Sequence, residues 1–85
     1  MTTVDVVHRP EQERFVAVVD GVTALLNYER TAGAVAMTHT VVPPEIGGRG
    51  IAARLTAAAV AWARAEELTI DPQCSYVRAW LHKNS

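Results

Sequence analysis

The glycine-rich segment that follows Pro43-Pro44 is the part of this sequence best suited to chemistry. It places Gly47, Gly48 and Gly50 directly before a helix-like run. Glycine permits a positive φ and has no side chain, so successive backbone N–H groups can point into one concave space. A helix that begins there adds unpaired first-turn N–H groups and the positive end of its dipole. The segment therefore predicts a phosphate or pyrophosphate site; the alternative is a surface turn whose glycines serve the turn alone.

Several other kinds of site are disfavoured by the residue types and spacings. The glycine segment lacks the Lys-Ser/Thr pair of a nucleotide-triphosphate loop. His8, His39 and His82 lack metal-ligand spacing, and Cys74 is the only cysteine. No metal site and no intramolecular disulfide are therefore expected. His8 and His82 are interpreted as surface residues.

Composition describes one small globular domain. The chain has 85 residues, 49% of them hydrophobic and 20% charged, with a formal net charge of −1. We expect a single domain over residues 1–85 and no nucleic-acid partner. Met1–Asp5 has no signal-peptide character, and no run of 18 apolar residues occurs. The sequence thus predicts no membrane association and a cytoplasmic location.

The first half of the chain has the alternating pattern of an antiparallel sheet. Proline, glycine and short polar turns separate four valine-rich runs. The predicted strands are Thr3–Arg9, Arg14–Val19, Val22–Arg30 and Ala34–Val42. Asp20-Gly21 predicts a hairpin turn between the second and third strands. In the fourth strand, the residues expected on one face are Val35, Met37, His39 and Val41.

The second half has helical periodicity. A helix is expected over Arg49–Glu67, followed by a short strand at Leu68–Ile70 and a closing helix over Ser75–Lys83. The expected buried stripe of the long helix is Ile51, Leu55, Ala58, Trp62 and Ala65. Tyr76, Ala79, Trp80 and Lys83 are expected on one side of the closing helix. A strand, helix and strand in this order form a right-handed crossover, so the fourth and fifth strands should be parallel neighbours.

Three motifs in this order resemble the GNAT superfamily of acetyl-CoA-dependent N-acetyltransferases, specifically its minimal single-domain branch. The matching segments are His39-Thr40-Val41-Val42-Pro43, Gly47-Gly48-Arg49-Gly50-Ile51-Ala52 and Cys74-Ser75-Tyr76-Val77. Gly47 and Ser75 depart from the branch's pattern, which has Arg or Gln at the first position and proline at the second. The resemblance covers nearly the whole chain. It implies an α/β (α+β) acyltransferase fold with four antiparallel strands, a long helix, a parallel fifth strand and a short C-terminal helix.

The resemblance also implies a cofactor and the residues that bind it. Acetyl-CoA or coenzyme A would place its pyrophosphate on the glycine loop and its pantetheine arm along the fourth strand. The implied cofactor-binding residues are Thr40, Val41, Val42, Gly47, Gly48, Arg49, Gly50, Ile51 and Ala52. The acceptor would be an amine of a small molecule or polypeptide, and the chain would be a monomer or weak homodimer. The alternatives are a CoA-binding module with little or no turnover and an interaction domain whose loop binds nothing.

His39 and Cys74 are the implied catalytic residues. An amine attacks a thioester only when neutral, and the imidazole of His39 titrates in the range that a general base needs. The other interpretation of His39 is a half-buried strand histidine. Cys74 could accept the acetyl group, line the site or be an inert buried thiol. Tyr76 could protonate the leaving thiolate, and Arg54 could contact CoA, but a core tyrosine and an exposed helix arginine are the alternatives.

Overall fold

The computed structural model of this protein describes residues 4–84, which form one five-stranded mixed sheet and two helices. The strands are β1 (Val6–Arg9), β2 (Arg14–Val19), β3 (Val22–Arg30), β4 (Ala34–Val41) and β5 (Thr69–Pro72), and the helices are α1 (Ile51–Ala65) and α2 (Ser75–Lys83). Strand order follows the sequence, with antiparallel neighbours except for the parallel pair β4–β5. The predicted fold class is confirmed.

Turn chemistry sets the order of the first strands. Asp20 and Gly21 have φ values of 51° and 75°, so both residues of the β2–β3 turn are left-handed, as a tight hairpin requires. β1 begins at Val6 instead of Thr3, because pairing with β2 starts at Val6 and Ala17. Thr3 itself lies outside the described residues. The connection from β1 to β2 is the single 3-10 turn Pro10–Gln12.

Both helices contribute to a core on one face of the sheet. The fully buried strand residues on this face include Leu26 and Met37, and Val77 of α2 joins the same cluster. The buried residues of α1 are Ile51, Leu55, Thr56, Ala59, Val60 and Ala63. The predicted stripe is confirmed at Ile51 and Leu55, Ala58 and Trp62 are only partly buried against the core, and Ala65 is exposed, so the prediction for Ala65 is wrong. Ala58 and Ala59 differ only in position, so residue type could not choose between them.

The opposite face of the sheet is not covered by either helix of the described chain. Val7, Val18 and Val41 project from it with exposures of 43%, 60% and 49%. None of its residues belongs to the core cluster. We call it the open face; it combines apolar residues such as Val16 and Val18 of β2 with polar residues such as Thr23 and Asn27 of β3.

Candidate functional site

The glycine segment forms an open loop that ends at the N-terminus of α1. After a 3-10 turn at Pro44–Ile46, Gly48 and Gly50 adopt φ values of 77° and 73°. These positive φ values favour glycine at both positions. A Cβ at either position would meet no atom within 4 Å, so the space beside the loop is free. Gly50 is the N-cap of α1 and no side chain caps the helix. Its first-turn N–H groups are therefore available to an anion.

The side chain of Arg49 forms an ion pair with Asp20 instead of projecting freely beside the loop. Its Nη1 donates to Asp20 Oδ2 across 2.7 Å, which ties the loop to the β2–β3 turn. Both side chains are largely solvent-exposed, so the ion pair adds little stability. Ile51 is buried by the core, and Ala52 is half-buried. These three predicted binding residues can offer their backbone N–H groups to a ligand.

A gap opens in the sheet where β5 ends. β5 pairs with β4 only from Ala34 to Met37, and the Cys74 N–H then donates to the Met37 carbonyl across 2.9 Å. The rest of β4 continues without a neighbouring strand on that side. β5 runs from Thr69 to Pro72, so it extends two residues beyond the predicted end at Ile70. Proline is tolerated because β5 is an edge strand whose outer side needs no donor.

A β-bulge in β4 decides which side chains face this gap. Tyr28 is opposite Met37 but Asn27 is opposite His39, so Thr38 is the extra residue. The bulge reverses the alternation of side chains: Thr40 lies on the helix side, and His39 and Val41 lie on the open face. The prediction that His39 and Val41 share a face with Val35 and Met37 is therefore wrong. No glycine or proline in β4 signals the bulge.

Thr40 and Cys74 meet on the helix side of the gap. Cys74 is half-buried at the N-cap of α2, and its Sγ donates to Thr40 Oγ1 across 3.5 Å. Burial would raise the pKa of the thiol, but the Thr40 hydroxyl and backbone N–H groups in the first turn of α2 favour the thiolate more, so the pKa lies below its usual value. No side chain makes a hydrogen bond that caps the N-terminus of α2. The sequence identified both residues but not their contact.

His39 lies on the other side of the sheet from this pair. It is exposed, and it neighbours Thr40 along a strand whose successive side chains point to opposite faces. The structure therefore does not bring His39 and Cys74 into contact. It places one on each side of the sheet at the same gap.

A groove lies between α1 and α2. Its volume is about 380 Å³, and its lining residues are Ala53, Tyr76, Ala79, Trp80, Lys83 and Asn84. Ala53 lies in the first turn of α1, so this end of the groove is near the glycine loop. The predicted side of α2 lines this groove, whereas Val77 and the half-buried Leu81 pack into the core. Val42, another predicted cofactor residue, also packs partly against the core.

Residues 4–84 include neither a cluster of metal-binding side chains nor a membrane-spanning helix. No three metal-binding side chains approach one another closely enough to hold an ion. Neither helix there has the length and apolar character to span a bilayer.

Comparisons with known proteins assign the family. The family model for GCN5-related N-acetyltransferases matches residues 14–85. The solution NMR structure of a GCN5-like protein from Staphylococcus aureus, described as a candidate N-acetyltransferase, superposes with a TM-score of 0.73. The two chains are 26% identical, and the alignment covers 99% of this chain and 83% of that one. No curated protein sequence matches significantly. This chain belongs to the GCN5-related N-acetyltransferase family.

Proposed function

We propose that this protein transfers the acetyl group of acetyl-CoA to an amine. The observation that carries the proposal is the gap between β4 and β5, which has the glycine loop at one end and the Cys74 thiol beside it. Membership of the family supports general N-acetyltransferase function. Use of acetyl-CoA, the acceptor class and each residue's role are the parts we propose.

The cofactor would enter from the helix side. Its pyrophosphate would bind the N–H groups of Gly48, Gly50 and the first turn of α1. The pantetheine arm would follow the free edge of β4 near Thr40, as an added strand pairs with a sheet edge. The groove between the helices suits the adenosine end, since Trp80 offers an aromatic surface and Lys83 a positive charge. The thioester would then lie in the gap.

The amine would approach from the open face. His39 is there to accept the ammonium proton, and the neutral nitrogen attacks the thioester carbonyl. As the tetrahedral intermediate collapses, the C–S bond would break, the CoA thiolate would leave on the helix side, and the nitrogen would lose its second proton to water. The Cys74 thiol would donate a proton to the CoA thiolate, and Thr40 would stabilise the Cys74 thiolate that remains. In the alternative two-step route, Cys74 first accepts the acetyl group from CoA and then passes it to the amine.

Calorimetric titration with CoA and acetyl-CoA, followed by mass analysis of transfer to a library of alkylamines and peptides, tests the proposal. We expect both ligands to bind and at least one amine to be acetylated. Binding without transfer to any amine would favour a CoA-binding module, and no binding of either ligand would refute the cofactor assignment. We propose that the protein acts in the cytoplasm as a monomer or weak homodimer, its open face serving any self-association.

Two variants separate the roles of the candidate catalytic residues. His39→Ala should lower turnover by roughly 10²-fold while CoA affinity stays within a few-fold, since a general base contributes about that much and lies apart from the cofactor. Cys74→Ala should slow direct transfer modestly, whereas it abolishes a two-step route together with any acetyl-thioester trapped on the protein. Wild-type rates in both variants would remove both residues from the mechanism.

A further inference from the structure

A second cavity lies at the opposite end of α1 from the glycine loop. Its volume is about 650 Å³, and its lining residues are His8, Pro10, Glu13, Tyr28, Arg30, Thr31, Trp62 and Glu66. Trp62 is eleven residues beyond Ile51, which is about 16 Å along a helix. The cavity is thus separate from the loop and from the β4–β5 gap, and the proposed acetyl transfer does not use it.

Aromatic rings form one wall of this cavity. The Trp62 ring centroid lies 4.8 Å from that of His8 and 4.8 Å from that of Tyr28. His8 stacks on Phe15 at 4.1 Å, and its Nε2 shares a 2.7 Å hydrogen bond with the Tyr28 hydroxyl. His8 is consequently half-buried, and its interpretation as a surface residue is wrong. Clustered rings of this kind present negative π-faces to a cation.

The wall is uncharged at neutral pH. Burial lowers the pKa of His8, with a smaller opposing effect from Glu11. Burial also raises the pKa of Tyr28, so the phenol keeps its proton. His8 therefore adds no positive charge that would repel a cation.

Carboxylates line the rim. Glu13 is fixed in a left-handed conformation with φ of 53°, an unusual geometry for a residue other than glycine. Its carbonyl accepts from the Tyr28 N–H across 2.9 Å, and its Oε2 accepts from the Arg30 N–H across 2.8 Å. Glu66, the C-cap of α1, also lines the cavity. The cavity lining therefore includes two carboxylates, of Glu13 and Glu66, and one guanidinium, of Arg30.

That guanidinium shows what the cavity can hold. Arg30 Cζ lies 5.7 Å from the Trp62 ring centroid, and Arg30 Nη1 lies 3.3 Å from Glu66 Oε1. The Arg30 side chain is 43% exposed, so it can swing out into water. An organic cation that takes its place would gain the same ring and the same carboxylate.

We propose that this cavity binds a small organic cation through an ammonium group placed against Trp62 and between Glu13 and Glu66. Binding displaces the Arg30 guanidinium towards solvent. The site is distinct from the one in which an acceptor amine reacts, so its occupancy does not depend on acetyl transfer.

NMR titration of the ¹⁵N-labelled protein with choline chloride tests this proposal. The indole N–H signals of Trp62 and Trp80 report the two cavities separately, so Trp80 serves as an internal control. We expect a saturable shift of the Trp62 signal and little change at Trp80. The uncharged isostere 3,3-dimethyl-1-butanol should bind at least tenfold more weakly. Equal binding of the two probes, or no shift at Trp62, would overturn the proposal.

Charge variants locate the cation. Glu13→Gln and Glu66→Gln should each weaken choline binding about fivefold, because each removes one nearby charge. Glu29→Gln is the matched control, since Glu29 precedes Arg30 on β3 but points to the open face. Arg30→Gln should tighten binding at least twofold by removing the internal competitor. Unchanged affinity in both cavity variants, or weaker binding in Arg30→Gln, would contradict the assignment; the amide spectra confirm that each variant is folded.

Discussion

At the scale of single residues, the Cys74 thiol shows how position can lower the pKa of a side chain. Burial alone would make it inert, but the end of β5 and the start of α2 bring it to Thr40 and to helix N–H groups. These groups stabilise negative charge on sulfur, so the pKa of Cys74 lies below that of an ordinary thiol. A hydroxyl from the neighbouring strand is therefore a positioning and electrostatic partner for a residue on another element.

Thr40→Val should raise the pKa of Cys74, because valine has almost the same shape as threonine and lacks the hydroxyl. The pH midpoint of iodoacetamide alkylation, followed by mass spectrometry, should move to higher pH. Thr38→Val is the matched control, because Thr38 bonds the Asn27 carbonyl instead of the thiol. An unchanged midpoint in Thr40→Val would mean that the hydroxyl does not act on Cys74.

The sequence predicted such residues better than it predicted their contacts. Cys74 and Thr40 were recognised from motifs, whereas their contact depends on the bulge at Thr38, which shifts the register by one residue. The same bulge places His39 on the open face instead of the predicted helix side. His8 was misplaced because its aromatic partners are distant in sequence, and only the β1–β2–β3 pairing and α1 bring them together.

At the scale of elements, the loop between β4 and α1 depends on backbone conformation. Gly48 and Gly50 both need positive φ, yet neither is packed against anything. Gly47 is different: its φ of −67° and ψ of 158° are open to any residue, and a Cβ there would meet the Pro44 carbonyl oxygen at 3.4 Å. The loop thus has two positions that glycine alone occupies without strain and one that tolerates a side chain.

Gly50→Ala should weaken CoA binding by about tenfold, or 1.4 kcal/mol, because its methyl group projects beside the N–H groups proposed to hold the pyrophosphate. Its strain should cost about 1 kcal/mol of stability. Gly21→Ala is the control: it has nearly the same φ and the same free space in the β2–β3 turn. Calorimetry and chemical denaturation should show similar losses of stability in both variants and a loss of affinity only in Gly50→Ala. Equal CoA affinities would remove the loop from the phosphate site.

Elements were predictable where local chemistry determines them. Arg14–Val19, Val22–Arg30 and Ser75–Lys83 match their predicted bounds, because turn residues or proline delimit them. The end of β5 and the stripe of α1 were not predictable. An edge strand can include Pro72, and a run of alanines does not record which of its faces is buried.

At the scale of the whole molecule, one face of the sheet contains nearly all the stabilising burial. The aromatic cluster of His8, Phe15, Tyr28 and Trp62 connects β1, β2, β3 and α1 at one end of this core. β1 is an edge strand of four residues, so its attachment depends strongly on this cluster. The stability of the fold is consequently linked to the protonation state of His8.

Acidification should therefore destabilise the protein through His8. The folded-state pKa of His8 lies below its ordinary value of 6.5, so the unfolded chain binds the proton more tightly and stability falls as the pH drops through 6.5 towards the folded-state pKa. Above about pH 7.5 this contribution is constant. His8→Gln removes both the titration and the ring stacking, so its Tm should be below that of the wild type at pH 7.5. This difference in Tm should become smaller by pH 5. Thermal melts of both proteins across this pH range measure the difference in Tm. A difference in Tm between wild type and His8→Gln that stays constant with pH would show that His8 titrates alike in the folded and unfolded chains. The aromatic cluster would then stabilise the fold by packing alone.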